Sequence, residues 1–426
     1  MARIRLEPLR GFRDILAPES LLLTRLAEIF RQTAELHGYE EVKPPTLERF
    51  EIFALKSGEE IRKTMYVFRD KAGREVALRP EATASIARIY LRHLRGRPKP
   101  LRLYYVVNCF RYEEPQRARY REFWQAGIEI LGEPSLAADF EAIKMLLVFY
   151  DKIGFLENIR LKLGTTKLYR TLFSEHGVPE GLQDHILHLM DKGLYSEALE
   201  ELRNKNYERL ADILAEIWKS KKEPEKVREI VSGISPIAEG AVKEVQQLAE
   251  NITSYNSRVQ LDIDLSFARG LAYYTGIIYE VKVPGFPVSI AGGGRYDSLV
   301  KLYGDEDVPG TGFAIGLDRT MAALQEAGVA DQLLPRRRRA AVLILDPSLA
   351  SYAAKVQDTL VEKGIVAPIM RTEKLQKTLT KIVKQGYDYA VIVGEKEASS
   401  STVTLKDIRN REQRRVTLEE LRSIKL

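Results

Sequence analysis

LRLYYVVNCFRYEEPQRARYREFWQAGIEIL, residues 101–131, sets two runs of aliphatic, aromatic and β-branched residues on either side of the polar loop YEEPQRARY. Two such runs with a polar connection predict a long antiparallel hairpin. In the second arm, the strand period of two puts Phe123, Gln125, Gly127 and Glu129 on one face and Trp124, Ala126, Ile128 and Ile130 on the other. The second set is core. The first set displays an amide and a carboxylate beside a glycine. Taken alone it reads as the solvent side of an antiparallel sheet; with more polar groups around it, it reads as the floor of a pocket.

Upstream of the hairpin, residues 19–37 predict an amphipathic helix with Leu22, Leu26, Ile29, Phe30 and Leu36 on one stripe and Gly38 as its stop. A strand is expected from Glu75 to Arg79. Downstream, the pattern from about Thr165 to Leu248 is helical and charged, as in SEALEELRNKNYERLADILAEIWKSKKEPEKVREIV, and reads as an inserted helical module. Strands resume with VQLDIDLSF, where Val259, Leu261, Ile263, Leu265 and Phe267 share a face. IIYEVKV and a glycine-rich stretch to Gly316 follow, and a helix begins near Asp318. After the run Arg336 to Arg339, AVLIL, a helix through Leu360, IVAPIM, a helix from Lys374 to Lys384 and YDYAVIVG alternate β and α, as in a small domain with a partly parallel sheet. The expected boundaries are 1–160, 161–255, 256–330 and 336–426.

With 426 residues, 45% of them hydrophobic, the chain is long enough for two or three domains with buried cores. No run of about 18 apolar residues is present to span a bilayer, and the amino terminus lacks the apolar stretch of a secretory signal, so no membrane partner is expected and the cytoplasm is the expected compartment. A single cysteine, Cys109, excludes an intrachain disulfide and reads as a small core residue; five histidines give no zinc spacing, and His185 with His188 reads as a helix surface. The net charge is +6, and its excess lies in the last segment. From Arg336 onward there are 19 Lys and Arg against 11 Asp and Glu, whereas the remainder holds 47 against 49. That excess fits a module that docks on a phosphate backbone as well as it fits a solvated linker.

Several polar residues stand at strand ends or strand-to-helix junctions, where binding groups are commonly displayed. Arg111 ends one arm of the hairpin, Arg119 sits in its loop, Glu81 and Thr83 follow a strand at LRPEAT, Arg269 follows another, and Arg319 opens the helix after GTGFAIG. The planar fork of arginine gives phosphate two parallel charge-assisted hydrogen bonds. Several arginines on one sheet face would cradle a triphosphate and stabilise charge at a reacting phosphorus.

FRYEEPQRARYREFWQAGIEILG resembles motif 2 of the class II aminoacyl-tRNA synthetases in the form of the histidine enzymes. GFAIGLDR resembles motif 3, and GYEEVKPPTLERF, with Pro45, resembles the dimer-forming motif 1. ARGLAYYTG and AGGGRYDSL resemble the two histidine signatures, and VALRPEAT the amino-acid-binding loop. The six stand in family order, and the likeness runs from Gly11 to the C-terminus.

The resemblance to the histidyl-tRNA synthetase family implies an α+β fold, with a class II antiparallel sheet flanked by helices, a helical insertion able to grip the acceptor stem, and a C-terminal α/β anticodon-binding domain. It implies histidine activation by ATP with transfer to tRNA(His), Mg²⁺ accompanying the outer phosphates, no metal held by the protein itself, and a homodimer. Arg111 would bind the α-phosphate, Arg119 the outer phosphates, and Phe123 and Arg319 would sandwich adenine, with Glu113 also in the ATP site. Glu81, Thr83 and Gln125 would hold the α-amino group of histidine, and Glu129 and Tyr274 its imidazole, with Tyr273 in the same site. Arg269, with Arg111, would act in catalysis, assisting attack on the α-phosphate.

Two positions depart from the family pattern: Ala272 stands where aspartate is usual, removing a possible hydrogen-bond partner near the pocket, and Ala82 where glycine is common. GTGFAIG imitates a dinucleotide fingerprint, but its G-x-G-x-x-x-G spacing and lack of a βαβ setting count against that reading. Gly292 to Gly294 precede no GK[ST], so close backbone packing is expected there. Three other functions compete. A non-catalytic, histidine-binding paralogue of the synthetases that regulates ATP phosphoribosyltransferase would typically lack the basic terminal domain and often Arg269. A nucleic-acid accessory protein would not need Glu81, Thr83, Gln125 and Glu129 together. A threonine, proline or glycine synthetase is opposed by the two histidine signatures.

Overall fold

A computed structural model describes residues 6–57, 59–268 and 273–426. The chain divides into two compact units, Met1–Leu334 and Pro335–Leu426.

The first unit opens with α1 (Glu19–Leu36), which buries Leu22, Leu26, Ile29 and Phe30 as the stripe requires. Leu36, expected on that stripe, is 80% exposed: it lies in the last turn, past the surface the helix covers, where Gly38 at φ 82° ends the helix. There follow β1 (Glu40–Glu41), β2 (Leu47–Arg49), α2 (Glu51–Ser57), β3 (Val67–Arg69), β4 (Glu75–Leu78), α3 (Thr83–Ile89), β5 (Leu101–Phe110), β6 (Glu122–Leu131), α4 (Leu136–Lys152) and β7 (Arg160–Thr165). The helical module runs through α5 (Lys167–Glu175), α6 (Glu180–Asp191), α7 (Tyr195–Asn204), α8 (Glu208–Lys219), α9 (Pro224–Ser232) and α10 (Pro236–Tyr255). Then come β8 (Gln260–Ile263), β9 (Ile277–Lys282), β10 (Ala291–Arg295), β11 (Gly310–Gly316) and α11 (Leu317–Glu326).

Eight strands form one sheet in the order β1-β5-β6-β11-β10-β9-β7-β8. It is antiparallel except at its two edges, where β1 pairs with β5 and β8 with β7 in parallel, so the sheet is mixed. The hairpin is as expected, with Leu101 opposite Leu131 and Phe110 opposite Glu122. The strand expected at Glu75 is present as β4 and belongs to a separate small sheet, β2-β4-β3. Two local readings differ. Residues 161–165, read as the start of the helical module, are part of β7, a strand of the main sheet. In VQLDIDLSF only Gln260–Ile263 is strand; Asp264 turns the chain by accepting the amide of Phe267, yet Leu265 and Phe267 stay buried.

Alternation along the hairpin divides the core. Tyr104, Val106, Ala126, Ile128 and Ile130 pack with α1, α4 and the helical module. Leu103, Tyr105, Val107 and Cys109 face the other way, among Tyr90, Phe267, Tyr273 and Tyr296. With both faces covered, each fully buried large aliphatic side chain contributes about 1.5–3 kcal/mol.

The second unit is β12 (Ala340–Ile344), α12 (Ala350–Glu362), β13 (Ile369–Arg371), α13 (Leu375–Lys384), β14 (Tyr389–Val393), α14 (Glu395–Ser399), β15 (Thr402–Asp407), β16 (Gln413–Thr417) and α15 (Leu418–Ser423). Its sheet has the order β13-β12-β14-β15-β16, parallel over the first three strands and antiparallel thereafter. The continuous apolar run of β12 follows from burial on both faces: Val342 and Ile344 belong to one core cluster, Ala341 and Leu343 to the other. Among the described residues no helix is long and apolar enough to cross a membrane.

Candidate active site

One face of the sheet over β6, β11 and β10 carries a polar pocket. Its lining includes Glu81, Thr83, Arg111, Glu113, Arg119, Phe123, Gln125, Glu129, Tyr273, Tyr274 and Arg319. All of these were singled out in the sequence; Arg269 and Ala272 lie outside the described residues. Gln125 and Glu129 are 9% and 1% exposed, which rejects the reading of this face as a solvent side.

The register explains the hollow. On β11, Gly316 lies opposite Gln125, Ala314 opposite Gly127 and Gly312 opposite Glu129. Paired residues share a face, so the polar set of β6 borders a lane that has almost no side chains. Gly312 is required sterically: a Cβ there would fall 2.2 Å from Glu129 Oε2. Gly127 likewise clears the Tyr105 hydroxyl, 2.4 Å from its ideal Cβ. Gly293 packs against the Gly312 carbonyl, at 2.1 Å from a would-be Cβ, so this glycine run serves close backbone packing.

Glu129 accepts a 2.8 Å hydrogen bond from Thr83 Oγ1 and one from the Tyr296 hydroxyl. Gln125 Oε1 accepts from Cys109 Sγ at 3.2 Å, which fixes the amide from behind. Cys109 is fully buried and burial pushes its thiol up to about 12, so it packs rather than reacts. The Glu81 carboxylate accepts the amide of Ala84 at 3.2 Å, at the start of α3. Tyr105, Tyr273 and Tyr296 are held well above the ordinary phenol range by burial first; Glu129 comes next for Tyr105 and Tyr296, and Tyr274, ahead of Glu81, for Tyr273. These phenols stay neutral hydroxyls.

The cationic side lies toward the hairpin loop. Arg111 donates from Nε to the carbonyl of Pro80 at 3.1 Å, and its guanidinium carbon stands 5.2 Å from the Phe123 ring centre. Arg119 pairs with Glu113 at 3.4 Å, and its buried Nε has no protein partner among the described residues. Arg319 donates to the carbonyl of Ser289 at 2.9 Å. The pocket therefore joins a buried carboxylate and amide at one part to a loop with arginines at another. Such a site suits a small zwitterion beside a polyanion.

Sequence reasoning missed Tyr105, Tyr120, Tyr296 and Asp318, all in the lining. Tyr296 stood inside a quoted signature, but its role depends on a contact with Glu129 far away in the chain. Among the described residues no group of three or more His, Cys, Asp or Glu is arranged to hold a metal ion.

A family model described as histidyl-tRNA synthetase matches residues 11–320, and one described as an anticodon binding domain matches residues 339–424. The histidine–tRNA ligase of Sulfolobus acidocaldarius is 42% identical over 422 residues, covering 98% of each chain. That of Metallosphaera sedula is 41% identical over 427 residues, again 98% of each. Among solved structures, the histidyl-tRNA synthetase of Nostoc sp. PCC 7120 has a TM-score of 0.77 at 24% identity and covers 99% of this chain and 100% of that one. An ATP phosphoribosyltransferase regulatory subunit/histidyl-tRNA synthetase from Bacillus halodurans C has a TM-score of 0.75 at 20% identity, over 92% and 99%. At these identities the two structures speak for the fold alone.

Proposed function

Because the chain belongs to the histidyl-tRNA synthetase family, we propose that it is a histidine–tRNA ligase, joining histidine to AMP at the expense of ATP and passing the histidyl group to the 3′ end of tRNA(His). The observation that carries the chemistry is the single pocket that holds Glu129, Gln125, Thr83 and Glu81 next to Arg111, Arg119 and Arg319. Histidine carboxylate attacks the α-phosphorus in line and pyrophosphate leaves; positioning and fixed cations lower the barrier. Arg111 would hold the α-phosphate and Arg119 the outer phosphates, with adenine between Phe123 and Arg319. Glu81, Thr83 and Gln125 would take the α-amino group. Glu129, anchored by Thr83 and Tyr296, would accept from the imidazole, with Tyr273 and Tyr274 beside it. Arg269 would place a cation at the attacked phosphorus.

Mg²⁺ would neutralise the outer phosphates, met from the protein by Glu113. One carboxylate beside Arg119 suits an ion that keeps most of its oxygen ligands from phosphate and water. A homodimer in the cytoplasm is part of the same reading: in the elements that follow Pro45 in the chain, Leu47, Leu55 and Phe68 are 42%, 60% and 48% exposed, apolar side chains that a second copy would cover. The regulatory paralogue is disfavoured because the anticodon-binding match spans residues 339–424.

The test is histidine-dependent exchange of labelled pyrophosphate into ATP, with charging of tRNA(His), for the native chain and Arg269→Ala. Exchange that requires histidine and falls on the order of 10²-fold or more in the variant is the expected result. Histidine binding with neither exchange nor charging would overturn the assignment.

A further inference from the structure

The segment Arg10–Arg13 touches the hairpin loop repeatedly. The amide of Arg121 donates to the carbonyl of Gly11 at 2.8 Å. Gly11 has φ 86°, and a Cβ there would meet Arg121 Cγ at 2.6 Å, so the segment lies directly against the Arg121 side chain. Arg10 reaches Glu114 at 2.6 Å, although both are exposed and contribute little. Arg13 is different. Its Nη2 donates to Asp318 Oδ1 at 2.6 Å, its Nη1 to the Tyr120 hydroxyl at 3.1 Å, and its guanidinium carbon stands 3.8 Å from the Tyr120 ring centre.

Asp318 is 1% exposed and lies in the first turn of α11; its other oxygen accepts the amide of Trp124 at 2.6 Å. Three site residues are the chain neighbours of these contacts: Arg119 precedes Tyr120, Phe123 precedes Trp124, and Arg319 follows Asp318. The guanidinium joins the loop to the start of α11, and Asp318 carries the link on to the start of β6. Arg13 also neutralises a carboxylate that lines the pocket and would otherwise repel a triphosphate.

We propose that Arg10–Arg13 is a strap that sets the ATP side of the pocket, with Arg13 its positioning residue: it holds Tyr120 and Asp318 so that Arg119, Phe123 and Arg319 meet the nucleotide together. This rests on the assignment of that side to ATP. A positioning role predicts a split between the two substrates, which a role in stability alone does not. Equilibrium binding of ATP and of histidine, each measured separately, and the melting temperature are compared for the native chain, Arg13→Ala, Arg13→Lys and Tyr120→Leu. Arg13→Ala is expected to weaken ATP binding about tenfold or more while histidine binding is unchanged. Arg13→Lys, which keeps the charge, recovers part of the loss, and Tyr120→Leu, which keeps the ion pair with Asp318, gives an intermediate one. If Arg13→Ala does not fold, the other two variants carry the same reading. ATP affinity equal to native in the folded variants overturns the strap, as does a parallel fall for ATP and histidine that tracks the melting temperature. Failure of the native chain to exchange pyrophosphate while binding ATP would count against the ligase assignment and leave the strap judged by binding. Failure to bind ATP would end both.

Discussion

At the scale of single residues, the pocket depends on what is missing as much as on what is present. Gly312 leaves room for the carboxylate of Glu129, and an added methyl group would meet both Glu129 Oε2 and the carbonyl of Ile128 at 2.2 Å. Gly312→Ala is therefore expected to push Glu129 off its hydrogen bonds with Thr83 and Tyr296. The KM for histidine in pyrophosphate exchange should rise about tenfold or more, with the KM for ATP moving less; an unchanged histidine KM would contradict this account. Some of this was legible beforehand. The period of two in REFWQAGIEILG separates Gln125 and Glu129 from Ala126, Ile128 and Ile130, because that strand has one polar and one apolar face. LRLYYVVNCF gives no such contrast: it is apolar on both faces, so Tyr105 could not be told from Tyr104, although one borders the pocket and the other packs on α1. The contact of Arg13 with Asp318 was beyond reach for another reason, since nothing local to either residue names a partner at the far end of the unit.

At the scale of elements, a buried ion pair joins α4 to the sheet. Arg295, on β10, donates to Asp139 from Nε at 2.9 Å and Nη2 at 2.8 Å, and to the carbonyls of Glu133 and Ser135, which lead into the helix. Thr311 on β11 donates to the other oxygen of Asp139 at 2.7 Å. Burial raises the Asp139 carboxyl above its ordinary range despite the opposing pull of Arg295. Removing the cation leaves a buried carboxylate with one hydroxyl for company. Arg295→Met should cost about 3–5 kcal/mol in urea unfolding, and a loss under about 1 kcal/mol would show that the pair is better solvated than its burial implies. Helices were read well from periodicity, α1 and α13 nearly to the residue. Short edge strands were not: β8 is four residues long, and only its parallel pairing with β7 defines it. The main sheet was expected to be antiparallel, and its parallel edges are invisible to alternation, which is the same for either direction.

At the scale of the whole molecule, the positive charge gathers in the second unit, which has its own sheet and two core clusters. If that unit meets an RNA backbone, its contacts release counterions, whereas exchange in the first unit does not involve RNA. Raising salt from about 50 to about 200 mM should then raise the KM for tRNA(His) by about tenfold or more while histidine-dependent exchange changes far less. Equal salt sensitivity of the two assays would remove the case for the basic unit as an RNA-docking surface. The composition announced this asymmetry but not the surface that bears it. The order of strands carries a different consequence. β6 pairs on one side with its hairpin partner and on the other with β11, so Gln125 must wait for Gly316, with the helical module made in between. During synthesis the hairpin can close as soon as it leaves the ribosome, but the floor of the pocket is complete only after the chain has emerged past Arg319. A nascent chain halted within the helical module would already hold Glu129 and Gln125, and would have no pocket in which to use them.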